Sequence, residues 1–181
     1  MAEIKSSIEL ALERAATFGA ADKDEEQREE GRRQGKAWAR RQALGELAPS
    51  ELRGLVDQMA GAEAEGARAE AGAVLLGEIR AGNRAAMAGL MALTAGTPAQ
   101  PAAMELARLL KAEEEVAMNV SRTLAGEMLA ELAAEGISGS AVHANPAAHP
   151  QLQARYEQAA AGLNAQRQAA MRALAQALAQ G

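Results

Sequence analysis

QPAAMELARLLKAEEEVAMNVSRTLAGEMLAELAAE, residues 100–135, places Leu106, Leu110, Ala117, Val120, Leu124 and Met128 on one stripe, with Leu109, Val116 and Leu132 flanking it. Apolar residues recurring at three-, four- and seven-residue steps mark one face of a helix. At 1.5 Å per residue that helix spans about 55 Å. Gly96-Thr97-Pro98 and Pro101 mark a turn ahead of it, with Thr97 or Gln100 available to cap its start. Residues 136–150, built from Gly, Ser, Ala, Asn, His and Pro, read as a linker behind it.

The same periodicity extends outward from this element. Residues 150–179 place Leu152, Tyr156, Leu163, Ala170, Leu174 and Leu178 on one face, opposite Gln and Arg. Upstream, a helix capped by Ser50 runs through Leu52, Leu55, Val56 and Met59. It continues along a seam of small residues, Met59, Ala62, Gly66, Ala69, Ala73 and Leu76, which would let a partner helix approach closely. Gly82-Asn83 is expected to break this helix as a C-cap followed by an N-cap. A short apolar piece over 84–94 carries Met87, Leu90, Met91 and Leu93, which with Met104 form an apolar patch around the turn. Methionine suits both adaptable binding surfaces and irregular helix junctions, and apolar helical stripes are usually buried.

Residues 22–47 are strongly charged. Asp22, Asp24, Glu25, Glu26, Glu29 and Glu30 precede Arg32, Arg33, Lys36, Arg40 and Arg41. Acids early and bases late is the order that the helix macrodipole favours, so the run reads as a solvated helix anchored by Trp38 and Leu44. Gly31 and Gly35 share a helical face with Trp38 and open space for docking against another helix. A basic cluster with an aromatic also suggests nucleic-acid contact, but the acidic block upstream and a formal net charge of -5 oppose that.

The expected organisation is an N-terminal segment at 1–48, amphipathic and then charged, and a long helical hairpin core at 49–135. A linker at 136–150 and a C-terminal amphipathic helix at 151–181 complete one structural unit. The fold class is all-α, an elongated bundle of long antiparallel helices with shorter N-terminal ones. Alanine fills about a quarter of the chain, and there is one Trp, one Tyr and one Phe. Such a core lacks aromatic anchors, so the small-residue seam suggests a homo-oligomer in which two chains complete one core. Residues 1–12 lack a signal-peptide pattern. The longest apolar stretch, 85–95, is short of the roughly 20 residues a membrane span needs. A soluble cytoplasmic protein without a membrane span is expected.

Cysteine is absent and His143 and His149 are the only histidines, both in the linker. Glu113 and Glu127 lie in or beside the apolar stripe of 100–135. Carboxylates inside a bundle can hold two metal ions when joined by a Glu-x-x-His motif, which this chain does not contain. They are expected to flank the core or pair with an arginine on a neighbouring helix. Two histidines fall short of the three or four protein ligands of a stable zinc site. No catalytic residue, cofactor or metal is therefore assigned.

The opening Glu3-Ile4-Lys5-Ser6, followed by Glu9-Leu10-Ala11 and Glu13-Arg14, resembles a bacterial family of small all-helical proteins of unknown function. The resemblance covers about the first fifteen residues. It implies a bacterial protein and carries no activity.

The expected function is non-enzymatic: a scaffold, adaptor or chaperone acting through self-association and an unidentified protein partner. Ile4, Ile8 and Leu12, together with Trp38, Met87, Leu90 and Met91, are its candidate interaction residues. A phasin-like coating of apolar surfaces through 150–181 is the alternative, and a carboxylate metal enzyme using Glu113 and Glu127 a lesser one.

Overall fold

The computed structural model describes residues 7–80 and 82–180, with side chains for 22–80 and 82–179. Among them the fold is all-α: α1 (Ser7–Ala43), α2 (Pro49–Asp57), α3 (Gly61–Arg80), α4 (Ala86–Thr94), α5 (Gln100–Ala134) and α6 (Leu152–Gln180). No helix is long and apolar enough to cross a membrane, among the described residues. The chain divides into two compact units, one of residues 1–103 with 174–181 and one of 104–173. Residues 49–135 form four helices: besides the expected breaks at Gly82 and Gly96, with positive φ values of 98° and 80°, the helix opened near Ser50 ends ahead of Gly61, where φ is 56°.

The first unit is organised by α1 against α3. Gly31, Gly35 and Ala39 stand four residues apart on α1, and all are buried. Gly31 lies against the backbone of Glu63 and Ala67, Gly35 against Ala67, and Gly66 of α3 against Arg28. A Cβ built on Gly35 would lie 2.8 Å from the Ala67 Cα and overlap its carbonyl oxygen. The helices are thus in backbone-to-backbone contact. They also run parallel, since Arg28 meets Glu65 at 3.3 Å and Lys36 meets Glu70 at 3.9 Å. A parallel pair needs the chain to travel back between its members, and α2 lies in that return.

The seam expected on α3 is displaced. Gly66, Ala67, Ala71, Gly72, Leu75, Leu76 and Ile79 are buried, whereas Ala69 is half-buried and Ala73 exposed. Small residues surround this helix, so three- and four-residue steps fit more than one face. The occupied face is fixed by the glycines of α1, and by Gly72, where an added Cβ would lie 2.8 Å from Leu178 Cδ1.

Local signals explain the remaining junctions. Ala48, not Ser50, caps α2: Pro49 is pre-set for the first helical position and Glu51 accepts the Ala48 N–H at 2.8 Å. Gly82 N–H donates to Ile79 and Asn83 N–H to Glu78, the paired C-terminal closure expected there. The Asn83 amide donates to the Ala43 carbonyl at 3.0 Å, while its oxygen accepts the Ala85 N–H at 3.2 Å. One side chain therefore joins the ends of α1 and α3 to the start of α4. Thr97 accepts the Ala99 N–H and Gln100 the Gly96 N–H, so both side chains bind the turn ahead of α5 and neither accepts from its first turn. Leu44, expected to anchor α1, lies past its end and is 73 % exposed.

In the second unit α5 and α6 are antiparallel, as expected of the long helices. Glu113 pairs with Arg167 and Glu127 with Arg155. The pairs are 14 residues apart on α5 and 12 on α6, matching spans of about 20 Å.

The α1–α3 crossing generates a direct test. Gly35→Ala should destabilise the protein by about 1–3 kcal/mol, because the obstructing atoms are backbone. Gly77→Ala has open space in the same α3 and should be neutral or stabilising by up to about 1 kcal/mol. Urea denaturation followed by circular dichroism checks both.

Candidate interaction surface

Most of the chemistry-bearing residues are engaged within the chain. The basic cluster of α1 is neutralised locally. Arg28 and Arg32 pair with Glu25, Arg32 also approaches Glu29 at 3.4 Å, and Arg33 pairs with Glu30. Trp38, half-buried beside them, lies on the helix whose glycine face meets α3.

Both glutamates of α5 have arginine partners on α6. Glu113 is 2 % exposed, with Arg167 Nε 3.2 Å from Oε1 and Arg167 Nη1 donating to Oε2 at 3.5 Å. The shorter approach is a charge contact without hydrogen-bond alignment. Glu127 is exposed and bound by Arg155 at 2.7 Å. Hydrogen bonding from Arg155 holds the Glu127 carboxyl below its ordinary value of 4.5, with smaller charge contributions from Arg155 and His149. His149 Nδ1 accepts the Gln151 N–H at 3.2 Å at the entry to α6, and His143 is exposed. No three His, Asp or Glu side chains converge on a metal position among the described residues.

Of the expected interaction residues, Leu90 is fully buried and Met87 and Met91 are half-buried. That patch is core at the α4 junction, because α4 packs on both α2 and α3. Only Met104 of the group is prominent, at 54 % exposure. Ile4 lies outside the described residues, as do the side chains of Ile8 and Leu12. The apolar face of α6 is engaged in part: Ala170, Leu174 and Leu178 are buried, with Ala160 and Met171 beside them, and Leu152, Tyr156 and Leu163 are half-buried. A groove of about 410 Å³ in the first unit is lined by Ala69, Ala73, Leu76 and Gly77 of α3 and by Leu178, with Arg32 and Arg80 among its charged lining.

Among the described residues, the outer side of α5 gathers three exposed large apolar side chains on one regular face. Met104, Met118 and Leu129 are 54, 57 and 40 % exposed. They share that side with Lys111, Glu115 and Arg122, also exposed, since positions 7, 11, 14, 18 and 25 residues after Met104 return within about 40° of it. From Lys111 the steps are four, three, four, three and four: Lys111, Glu115, Met118, Arg122, Ala125, Leu129. That is a second helical seam, back to back with the stripe that packs inward. Its charged members hide it from a search for apolar periodicity, so only the alternating spacing could have revealed it.

No known protein family, curated protein or solved structure matches this chain.

The Glu127–Arg155 ion pair predicts an acid response. A carboxyl held below its unfolded value stabilises the fold above that value and loses the contribution as pH falls through the folded one. Stability should therefore decline below about pH 4.5, and Arg155→Gln should flatten that part of the profile. Urea midpoints between pH 3 and 7 measure the slope. Breaking the buried pair should be more costly: Glu113→Ala is expected to remove about 3 kcal/mol, with Glu113→Leu/Arg167→Met recovering much of it.

Proposed function

We propose that this chain is a non-enzymatic helical interaction protein, a scaffold or chaperone-like adaptor acting through self-association and contact with other proteins. The observation that carries the reading is the outer seam of α5. Large apolar side chains alternate there with charges on a helix already held from its other side. Scattered exposed apolar residues are ordinary, but Met104, Met118 and Leu129 recur on one face over about 40 Å. A rigid amphipathic face of that kind receives a helix through anchors at i, i+3, i+4 and i+7.

The engagement of Glu113 and Glu127 by arginines supports the same reading over a carboxylate metal centre. The burial of Leu174 and Leu178 supports it over a surface coat built on α6. The proposed setting is the bacterial cytoplasm.

A photo-crosslinking residue placed at Met118 or Leu129 should give discrete protein adducts in the producing cells. The same residue at Gln168, exposed on α6, should give few. Adducts at neither α5 position, or equal labelling at all three, would contradict the proposal.

A further inference from the structure

We infer that the outer seam of α5 is a two-fold contact between two copies of this chain, with the two α5 helices antiparallel. The inference rests on the reading of this protein as an interaction module and names the occupant of its exposed face. The observation behind it is the order of charges along the seam. Glu115 and Arg122 are exposed and make no ion pair within the described residues. They are seven residues apart on one face, about 10 Å along the axis, and both face solvent.

That spacing becomes complementary when the face meets itself in reverse. A two-fold axis crossing α5 near Met118–Val120 brings each Glu115 within a turn of Arg122 of the partner subunit. It also brings the two Met118 side chains together at the centre. Leu129 then reaches the level of the aliphatic stems of Lys111 and Arg108 in the partner, which can cover it while their charged ends reach water. A parallel, in-register pair would set Glu115 against Glu115 and Arg122 against Arg122, so the charges select orientation. Polar residues within an otherwise apolar seam fix register and direction at a cost in stability. Exposed ion pairs contribute little affinity, and each copy supplies only three large apolar side chains. The contact should therefore be weak and reversible, with a Kd on the order of 10 μM.

Other occupants fit less well. A partner carrying one sign of charge would meet Lys111, Glu115 and Arg122 in alternation and be opposed by at least one. The seam's own sequence, reversed about that axis, sets Glu115 against Arg122 of the partner subunit and Arg122 against the partner's Glu115, and leaves Lys111 beside the apolar Leu129 level.

The test is sedimentation velocity on the full chain from about 1 to 200 μM, bracketing that Kd, with helicity checked for each variant. The wild-type mass should rise from 18.8 kDa towards twice that value. Glu115→Arg and Arg122→Glu should each weaken association at least tenfold, and the double exchange should restore it to within about threefold of wild type, since only the paired signs have been inverted. Met118→Glu should abolish it. A monomer at every concentration overturns the inference, and so does a double exchange no stronger than either single variant. If crosslinks from Met118 then run to a different protein, the interaction reading survives and only the self-pairing is lost. If neither self-association nor crosslinks appear, both fall.

Discussion

The backbone contact between α1 and α3 is the constraint on which the rest of the first unit depends. Glycine at 31, 35 and 66 removes the side chains that would hold the helices apart. Each glycine weakens its own helix by up to about 1 kcal/mol relative to alanine, and the close approach offsets this by packing main chain against main chain. Weak Cα–H contacts to carbonyl oxygens are common in such crossings. Because the helices run parallel, the chain must return between them. The loop after α1, the proline-initiated α2 and the positive φ at Gly61 carry out that return. Asn83 then closes the other end by holding the last carbonyl of α1.

This arrangement links a chain poor in aromatic residues to a functional reading. A core of leucine and alanine buries less apolar surface per residue than an aromatic one, so close approach has to replace bulk. Of the small-residue seam expected on α3, Gly66 and Leu76 are buried within one chain while Ala73 is exposed. The second unit solves the problem differently, with leucine at Leu106, Leu109, Leu110 and Leu124 and a buried ion pair between Glu113 and Arg167. A pair of this kind is weak evidence of stability but costly to break, which suits it to fixing the register of two long helices. With that register held, the outer face of α5 is a rigid surface and its side chains are presented at fixed spacing.

Much of the architecture was legible in the residues. The periodicity of 100–135 gives α5 to within a residue, and the break at Gly82-Asn83 follows from the behaviour of glycine and asparagine at helix ends. The arginine partner of Glu113 follows from the difficulty of leaving a buried carboxylate alone. The buried face of α3 was not legible, because alanine and glycine surround that helix and several faces satisfy the same rule. Nor was the parallel sense of α1 and α3, which depends on the reach of α2. The outer seam of α5 escaped because its spacing is regular while its chemistry is mixed. Leu90, compatible in sequence with core or contact, is core because a short apolar helix between two others becomes so.

The central claim is that the small residues of α1 and α3 join these helices within one chain and in parallel, leaving the α5 face for partners. The absence of cysteine makes site-directed spin labelling straightforward, with labels at Lys36 and Glu70, both on the rim of the crossing. Pulsed electron resonance should give a distance within roughly twice a helix spacing, about 20 Å. That distance should persist when labelled protein is diluted into unlabelled chain. A longer distance, or a short one that disappears on dilution, would contradict the account.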